Sequence, residues 1–323
     1  MIVRKFSAYS DYAASARVAS AAAPDYPESA ERLAARDEAV RKSGGTQTRW
    51  LAWDDETPVA TSVLEHFTWC TDPTVMGVGV RVIPERRHEG IGRSLHDTML
   101  TTARASGCTL LVGFIDGRQR RSLDFASAAG YDLVGRGFES SLDPAAIDLE
   151  RFADIVAAVV RSGIRIDPLS EISQTEPDWV DRVAELYATI EEDVPTAVPT
   201  APPVREVFIA EAIESSLAIP EAFFIARDGE RWVGLTEIRK SQLQDHYHQE
   251  LTGVLRAYRR RGIAVALKVR GLLWNRSVGA VELKTWNDSR NRGMLAVNGL
   301  LGFVRSHSID EYHRPVASVA SRS

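Results

Sequence analysis

The sequence is poor in cysteine and in methionine, with two and four residues of these types among 323. Cys70 and Cys108 lack the paired spacing of a metal site, and two cysteines are too few for a disulfide-stabilised fold. No apolar run reaches membrane-spanning length, and no N-terminal segment has the apolar core of a signal peptide. We therefore expect a cytoplasmic protein with reduced cysteines, no metal and no membrane partner.

A strong charge of one sign is also absent, since 39 basic and 44 acidic residues give a formal net charge of −5. This balance argues against broad electrostatic attraction to nucleic acid, so no nucleic-acid partner is expected. The hydrophobic share of 44% is typical of a globular protein, and the length suits two domains of ordinary size. The sequence leaves open whether the protein is a monomer or a homodimer.

The main positive feature is an internal repeat, because residues 252–303 align without a gap with residues 80–131. Each copy contains an apolar strand-like run, a basic glycine-containing turn, an apolar-periodic helix, a second strand, and a glycine followed by an aromatic residue. A shared order of this kind indicates a duplicated domain. The residues that match at equal spacing include Gly90 with Gly262, Leu95 with Leu267, Asp116 with Asp288, and Gly130 with Gly302.

The turn of each copy predicts an anion site. The first turn (residues 87–92) reads Arg-His-Glu-Gly-Ile-Gly, and the second turn (residues 259–264) reads Arg-Arg-Arg-Gly-Ile-Ala. A glycine-bearing turn at the start of a helix leaves backbone N–H groups free, and the helix dipole and the arginines add positive potential. A pyrophosphate is the most natural ligand, although the spacing is neither that of a P-loop nor that of a Rossmann fingerprint.

The segment from Val82 to Gly92 resembles the Gln/Arg-x-x-Gly-x-Gly/Ala motif of the GNAT (Gcn5-related N-acetyltransferase) superfamily. The segment from Val254 to Ala264 resembles it too, with Arg256 where the first copy has a proline. The residues from Thr285 to Phe303 resemble the distal motif of bacterial tandem GNAT proteins, the group that includes mycothiol synthase. The resemblance covers both halves of the chain.

The resemblance implies an α/β fold of two tandem GNAT domains. Each would be a mostly antiparallel mixed sheet flanked by helices, with a central pair of splayed strands, and acetyl-CoA would be the cofactor. We expect an N-terminal domain at 1–145, a linker helix at 146–163 and a C-terminal domain at 164–323.

The resemblance also implies which residues bind the cofactor. In the GNAT family the turn holds the pyrophosphate of acetyl-CoA, and the strand before it pairs with the pantetheine arm. Asn287 and Asn291 are further candidates on the cofactor side, with helix capping or turn formation as the alternative. The cofactor-binding candidates are Val82, Arg87, His88, Gly90, Ile91, Gly92 and Arg93 in the first copy, and Val254, Leu255, Arg259, Arg260, Arg261, Gly262, Ile263, Ala264, Asn287 and Asn291 in the second.

The two halves differ in their candidate catalytic residues. Many GNAT enzymes use a tyrosine as general acid at the positions where this sequence has Ala126 and Asn298, so the acid is unassigned in both halves. Carboxylates on the hairpin or the central strand serve as the base in several GNAT enzymes, and we name Glu237 first, then His248, then Glu250. Solvated strand residues are the alternative for all three. The second half is therefore expected to be catalytic, and the first half to be a weak or vestigial cofactor binder.

The predicted function is acetyl-CoA-dependent N-acetyltransfer to a primary amine of a small molecule, by direct attack of the amine on the thioester. The alternative is a non-catalytic acyl-CoA-binding or regulatory protein, because neither half has the usual tyrosine. The sequence does not identify the acyl acceptor, because the residues that would line its cleft come from the helices and hairpins outside the repeated motif.

Overall fold

A computed structural model describes residues 1–201, 205–241 and 245–317. The chain forms two compact units. Unit 1 contains Met1–Gly135, Val198–Thr200 and the residues from Asp310 onward, and unit 2 contains Arg136–Ala197 and Ala201–Ile309. Within the described residues, no helix is both long enough and apolar enough to cross a bilayer.

Strands and helices alternate along the chain. The strands are β1 (Ile2–Lys5), β2 (Gln47–Asp54), β3 (Thr57–Glu65), β4 (Val75–Val82), β5 (Leu110–Asp116), β6 (Asp132–Leu142), β7 (Ile164–Pro168), β8 (Ala218–Asp228), β9 (Arg231–Lys240), β10 (Tyr247–Val254), β11 (Leu283–Asp288) and β12 (Val304–Pro315). The helices are α1 (Ser10–Ala22), α2 (Ala30–Lys42), α3 (Ile91–Ala105), α4 (Arg120–Ala128), α5 (Ala153–Arg161), α6 (Leu169–Thr175), α7 (Trp179–Glu191), α8 (Arg205–Phe208), α9 (Ile263–Ser277) and α10 (Arg292–Leu301).

Unit 1 is a sheet in the order β1-β2-β3-β4-β5-β12, where β12 contributes its last residues. Helix α3 packs its apolar side, including Leu95 and Met99, against Ala60 and Leu64 of β3. Neighbouring strand residues point to opposite faces, so Thr61 faces away from α3 and bonds Ser15 of α1 at 2.8 Å. The sheet of unit 1 is therefore covered by helices on both faces.

Unit 2 repeats this arrangement in the strand order β6-β11-β10-β9-β8-β7. Helix α9 covers one face, where it packs Val265, Val269 and Leu272 around Ile238 of β9. Helix α7 covers the other, which we call the α7 face, and its Ile190 lies against the backbone of Gly253 in β10.

In each unit the two central parallel strands are paired over only a short stretch. Strands β4 and β5 pair in parallel only from Val75 to Gly77, and β10 and β11 pair only from Tyr247 to Gln249. Beyond these three pairs the strands separate, while β4 and β10 continue antiparallel to β3 and β9. The predicted α/β fold with a splayed central pair in each half is thus confirmed.

Most local elements lie where the sequence predicts them. The alanine-rich sequence of the N-terminal region favours helix, and the region forms α1 and α2 with a break at residues 23–29. Residues 54–57 and 228–231 are polar or glycine-containing turns between apolar runs, and they connect the hairpins β2–β3 and β8–β9. Part of the predicted helix at Val204 and part of the predicted closing strand at residues 315–319 lie outside the described residues.

The units divide the chain differently from the predicted boundary at residue 145. Strand β6, expected to close the first domain, pairs antiparallel with β11 from Leu142 to Gly137 and belongs to unit 2 from Arg136 onward. The predicted linker helix at 146–163 corresponds to α5 and the turns before it, and it packs on α9 within unit 2. The end of β12, in turn, completes the sheet of unit 1. Each half of the chain therefore gives its last strand to the unit formed mainly by the other half.

This exchange predicts that the end of β12 stabilises unit 1. Tyr312 is buried in the same core as Leu95 and Met99, so Tyr312→Ala is expected to lower the free energy of unfolding by about 3 kcal/mol. Urea denaturation of the full chain measures this change. Val304→Ala, at an exposed position of the same strand, is the control and should change stability by less than about 0.5 kcal/mol. Equal effects of the two substitutions would contradict the assignment.

Candidate functional site

The two turns have the same backbone conformation. His88 and Gly90 have φ of 72° and 79°, and Arg260 and Gly262 have φ of 64° and 81°. These left-handed residues are followed at once by α3 and α9, which begin at equivalent positions. A positive φ favours glycine, which explains why a glycine precedes each helix.

The turns present a row of free backbone donors. Within the part of the chain that the structure describes, the N–H groups of residues 88–92 and 260–264 donate no hydrogen bond. Alternating right- and left-handed residues direct such N–H groups into a concave site, and the start of a helix adds its dipole. Both turns can therefore hold a pyrophosphate through the backbone, as the sequence predicts.

The first arginine of each turn braces the turn itself. Arg87 donates Nε–H to the carbonyl of Val82 at 3.2 Å, and Arg259 donates Nε–H to the carbonyl of Val254 at 3.0 Å. The guanidinium of Arg259 also forms an ion pair with Asp193. These hydrogen bonds join each turn to the end of the strand before it. The two arginines therefore help to position the backbone donors, in addition to the phosphate contact that the sequence predicts.

The other side chains of the first turn also have partners. His88 Nε2 lies 2.6 Å from Arg121 Nη1, and Glu89 bonds Arg86 through both carboxylate oxygens at 2.9 Å. The hydrogen bonds from Arg86 lower the pKa of Glu89. Its charge is thereby neutralised locally, which reduces the repulsion expected between this carboxylate and a phosphate.

The surroundings of the two glycines differ. A Cβ atom on Gly90 would meet nothing within 4 Å, and an open groove of about 500 Å³ runs from there along the exposed side of α3 past Arg93. A Cβ atom on Gly262 would lie 2.8 Å from Cγ2 of Ile155, because α5 packs beside the second turn. Any side chain at residue 262 would therefore displace α5.

The three predicted bases lie in one region of unit 2. His248 pairs with Arg239 across β9 and β10, and Glu237 lies two residues earlier on β9. The register of β10 shifts between Gln249 and Thr252, which marks a β-bulge at Glu250, next to the point where β10 leaves β11. Bulges are common beside active sites, where they redirect a side chain.

Glu237 is buried, not solvated, with only 2% of its surface exposed. Oε1 of Glu237 forms an ion pair with Nε of Arg239, while Oε2 has no hydrogen-bond partner among the described residues. Burial raises the pKa of Glu237 to about 7, although Arg239 favours the ionised form. A carboxylate with this pKa can exchange protons near neutral pH, but its burial limits direct contact with a substrate.

His248 belongs to a hydrogen-bonded chain that the sequence did not reveal. His246 Nδ1 lies 2.5 Å from Oδ1 of Asp245, and His246 Nε2 lies 3.0 Å from Nε2 of His248. If Nδ1–H of His246 donates to the carboxylate, its Nε2 accepts from Nε2–H of His248. Nδ1 of His248 then carries a lone pair. Burial lowers the pKa of His248, which favours this neutral form, while Glu250 opposes the shift.

Helix α7 adds two groups that sequence reasoning also missed. Burial, followed by the charges of Glu237 and Glu191, raises the pKa of Tyr187 well above its usual value. Burial and the charge of Glu211 raise the pKa of Glu191 to about 7. A helical stripe in the sequence does not distinguish these residues from ordinary core or surface positions.

The corresponding face of unit 1 carries aromatic side chains at the splay. The ring of Phe67 lies directly over Gly77, where a Cβ would be 2.6 Å from Cζ of the ring. Phe67 stacks on Trp69 at 4.4 Å and meets Phe114 edge-on at 6.3 Å, and Val198 packs against the same group. Aromatic side chains thus lie where unit 2 has histidine and glutamate.

Unit 1 does contain buried carboxylates on this face, which the sequence analysis did not single out, and one of them, Glu65 of β3, lies directly opposite Gly77. Glu65 lies 3.5 Å from Arg49, and Glu28 lies 3.3 Å from Arg36. Burial raises the pKa of Glu65, while Arg49 opposes the shift. These carboxylates already have cationic partners within unit 1.

The remaining predicted residues have mainly structural contacts. The side-chain oxygen of Asn291 accepts a hydrogen bond from the backbone N–H of Met294 and caps α10. Helix capping was the alternative to cofactor binding for this residue. Asn287 Oδ1 accepts a 2.5 Å hydrogen bond from Asn298, the residue at the usual tyrosine position. Tyr247 of β10 packs edge-on against Trp274 on the α9 side of the sheet, away from His248.

Comparison with known proteins agrees with this architecture. Residues 15–131 match the acetyltransferase (GNAT) family. No curated protein sequence matches the chain.

Solved structures show the same fold over the whole length. A GCN5-related N-acetyltransferase from Sphaerobacter thermophilus is 18% identical, with a TM-score of 0.65 over 98% of this chain and 96% of that chain. A tandem GNAT protein from the clavulanic acid biosynthesis pathway is also 18% identical, with a TM-score of 0.69 over 98% of both chains. The glucosamine N-acetyltransferase region of a fungal multi-domain β-N-acetylglucosaminidase is 13% identical, with a TM-score of 0.71 over 97% of this chain and 38% of that one.

The buried carboxyl of Glu191 predicts a pH-dependent stability. Its pKa is raised from 4.5 to about 7, so its stabilising contribution is fully present below pH 4.5 and is lost as the pH rises through 7. Glu191→Gln keeps the neutral form at every pH. From pH 4.5 to pH 7 the free energy of unfolding of the wild type should fall by about 1–2 kcal/mol more than that of Glu191→Gln. This figure allows for the partial exposure of the side chain.

Urea denaturation from pH 4.5 to 8 measures this difference. Glu185→Gln, at an exposed position of the same helix, should give the pH dependence of the wild type. A constant difference between wild type and Glu191→Gln over this range would contradict the prediction.

Proposed function

We propose that this chain, which matches the GNAT acetyltransferase family over residues 15–131 and has a fold similar to that of a tandem GNAT protein, transfers an acetyl group from acetyl-CoA to a primary amine of a small molecule. The transfer takes place in unit 2. The observation that carries this assignment is that β10 parts from β11 beside His248 and Glu250 and leads directly into the second turn.

Both units fit the cofactor through their backbone. The free N–H groups of residues 260–264 suit a pyrophosphate, and the separated edge of β10 offers N–H and C=O groups to an extended pantetheine chain. Acetyl-CoA supplies the thioester whose carbonyl carbon the amine attacks. The second turn and β10 hold this group in place and exclude other orientations.

The residues of unit 2 supply the proton chemistry. Nδ1 of His248 accepts a proton from the attacking amine, while Asp245 and His246 fix the tautomer and stabilise the imidazolium. Glu250 adds negative charge beside this ring. The new bond joins the amine nitrogen to the acetyl carbon, the carbon–sulfur bond breaks, and the thiolate leaves and takes a proton from solvent.

Unit 1 has the same turn, but Phe67, Trp69 and Phe114 occupy its splay, and Glu65, the buried carboxylate opposite Gly77, lies 3.5 Å from Arg49. An amine would therefore meet aromatic rings and a carboxylate that already has a cationic partner. This supports a non-catalytic role for unit 1 as an acyl-CoA binder. The match of residues 15–131 to the GNAT family supports retention of its cofactor turn.

Matched variants at the two turns test this division. Gly92→Glu and Ala264→Glu each place a carboxylate at the second helical residue, where it suits the helix dipole but repels a pyrophosphate. We expect Ala264→Glu to weaken the strongest acetyl-CoA site at least about tenfold in calorimetry, and Gly92→Glu to leave it intact.

Ala105→Glu and Ser277→Glu, at the exposed last residues of the same helices and outside the groove, are the controls and should bind as the wild type does. Loss of the strong site in Gly92→Glu alone would place the working site in unit 1 and reject the assignment.

His248→Gln tests the base. Release of CoA thiol in the presence of an amine panel should fall about 10²- to 10⁴-fold, while acetyl-CoA affinity stays unchanged, because the base acts only on the amine. Asp245→Asn should give a smaller loss, since it only positions the histidines. Full activity of His248→Gln would exclude this residue and favour Glu250.

A further inference from the structure

A carboxylate that follows α7 binds two arginines at the second turn. Oδ1 of Asp193 accepts hydrogen bonds from Nε and Nη2 of Arg256, at 2.9 and 2.5 Å. Its other oxygen, Oδ2, forms an ion pair with Nη2 of Arg259, the first residue of the turn. One carboxylate therefore joins the residues after α7 to the segment that would hold the pyrophosphate.

Asp193 is ionised and largely covered, whereas its partners are open to solvent. Its side chain is 21% exposed, and the hydrogen bond from Arg256 lowers its pKa although burial opposes the shift. The side chains of Arg256 and Arg259 are 77% and 42% exposed, so a dissolved anion can reach both. Exposed ion pairs of this kind are worth little stability, so a stronger anionic ligand can replace them.

The contact uses donors that the predicted phosphate contact needs. Arg259 donates Nε–H to the carbonyl of Val254 and Nη2–H to Asp193, so Nη1 is its one nitrogen without a partner among the described residues. Phosphate and carboxylate oxygens both accept hydrogen bonds from the fork of a guanidinium group. Asp193 and a phosphate therefore compete for Arg259, and their negative charges also repel each other.

The first turn has the same arginine with a neutral partner. Arg87 donates Nε–H to the carbonyl of Val82 and Nη2–H to the carbonyl of Ala22, at 3.2 and 3.1 Å. Ala22 is the last residue of α1, and Pro84 stands where unit 2 has Arg256. A backbone carbonyl adds no net charge at the turn. The competing carboxylate is therefore a property of unit 2 and not of the turn itself.

The end of α7 is attached to the rest of unit 2 at a second point. Ile190 fits against the backbone of Gly253 in β10, where a Cβ atom would lie 2.1 Å from its Cγ2. This attachment is apolar and does not involve the turn. Loss of the ion pairs of Asp193 would therefore free the residues after α7 without detaching the helix from the sheet.

We propose that Asp193 is an intramolecular competitor of acetyl-CoA, which pairs with Arg256 and Arg259 until the pyrophosphate displaces it. Cofactor binding then releases the charged attachment between the end of α7 and the second turn, while the apolar contact of Ile190 remains. The carboxylate thereby lowers the affinity of unit 2 for its cofactor. The proposal rests on the proposed function only in taking acetyl-CoA as the ligand of the second turn.

Calorimetric titration of acetyl-CoA into the full-length protein tests this competition. Every variant also carries Gly92→Glu, which blocks the first turn, so that binding to the second turn is measured alone. Asp193→Asn should strengthen binding about three- to tenfold, because it removes the negative charge and weakens the hold on both arginines.

Asp228→Asn is the matched control. Asp228 accepts a 3.0 Å hydrogen bond from the hydroxyl of Tyr258, between the two arginines in sequence, but pairs with neither arginine among the described residues. The substitution removes one negative charge from the same region and keeps a hydrogen-bond acceptor. It should change the affinity by less than about twofold, because a charge without direct contact is screened by salt.

A double-mutant cycle with Arg259→Gln isolates the coupling. In the presence of Asp193 this substitution should weaken binding by less than about threefold, because the carboxylate already occupies the guanidinium. In the Asp193→Asn background it should weaken binding about tenfold or more, because the freed guanidinium then binds phosphate. The lost hydrogen bond to Val254 is common to both backgrounds and cancels.

Weaker or unchanged binding in Asp193→Asn, an equal gain in Asp228→Asn, or the same cost of Arg259→Gln in both backgrounds would overturn the proposal. Release of CoA thiol by the wild type with a panel of amines tests the proposed function separately. Tighter binding in Asp193→Asn without thiol release keeps the competition and rejects acetyl transfer. Thiol release with unchanged affinity in Asp193→Asn keeps acetyl transfer and rejects the competition. Failure of acetyl-CoA to bind the second turn rejects both.

Discussion

The separation of two parallel strands after only three paired residues governs the design of both units. Beyond Gln249 in unit 2, and beyond Gly77 in unit 1, backbone groups on one edge of the central strand lose their strand partner. Buried backbone groups need partners, so an open strand edge of this kind requires solvent or an extended ligand. The strand then leads into a turn whose N–H groups are also free. The main chain alone thus offers a long ligand two places to bind, and side chains along the cleft can change without altering these backbone groups.

The two units show what this freedom permits. On the α7 face of unit 2, strands β9 and β10 carry histidine and glutamate beside the splay, and burial raises the pKa values of Glu237 and Glu191 to about 7. In unit 1 Phe67 and its aromatic neighbours lie over the equivalent region. One backbone therefore supports a polar cleft and a mainly aromatic one. Because the units share their turns and differ in these side chains, their functions can diverge after duplication while the fold stays constant.

The features that the sequence predicted correctly are those that depend on residues close together in the chain. The glycine turn, the helix after it and both hairpins follow from local conformational preferences, and Gly90 and Gly262 do have the positive φ that the turn requires. The exchange of β6 and the end of β12 depends on pairing between residues more than a hundred positions apart, which no periodicity records. The sequence left the environment of Glu237 open between a base and a solvated strand residue, because its burial depends on packing between distant elements. Asp245, His246 and His248 form a hydrogen-bonded chain whose existence depends on side-chain geometry that the sequence does not record.

The exchanged strands also bear on the order in which the protein can fold during synthesis. The first 135 residues leave the ribosome early, but the strand that covers the edge of β5 belongs to residues 310–317. Until residues 310–317 are made, that edge stays open and its apolar core lacks Tyr312 and Val316. Open edges of this kind promote pairing between chains, so nascent chains are exposed to aggregation during this interval. Translation of residues 310–317 thus sets the earliest time at which unit 1 can reach its final structure.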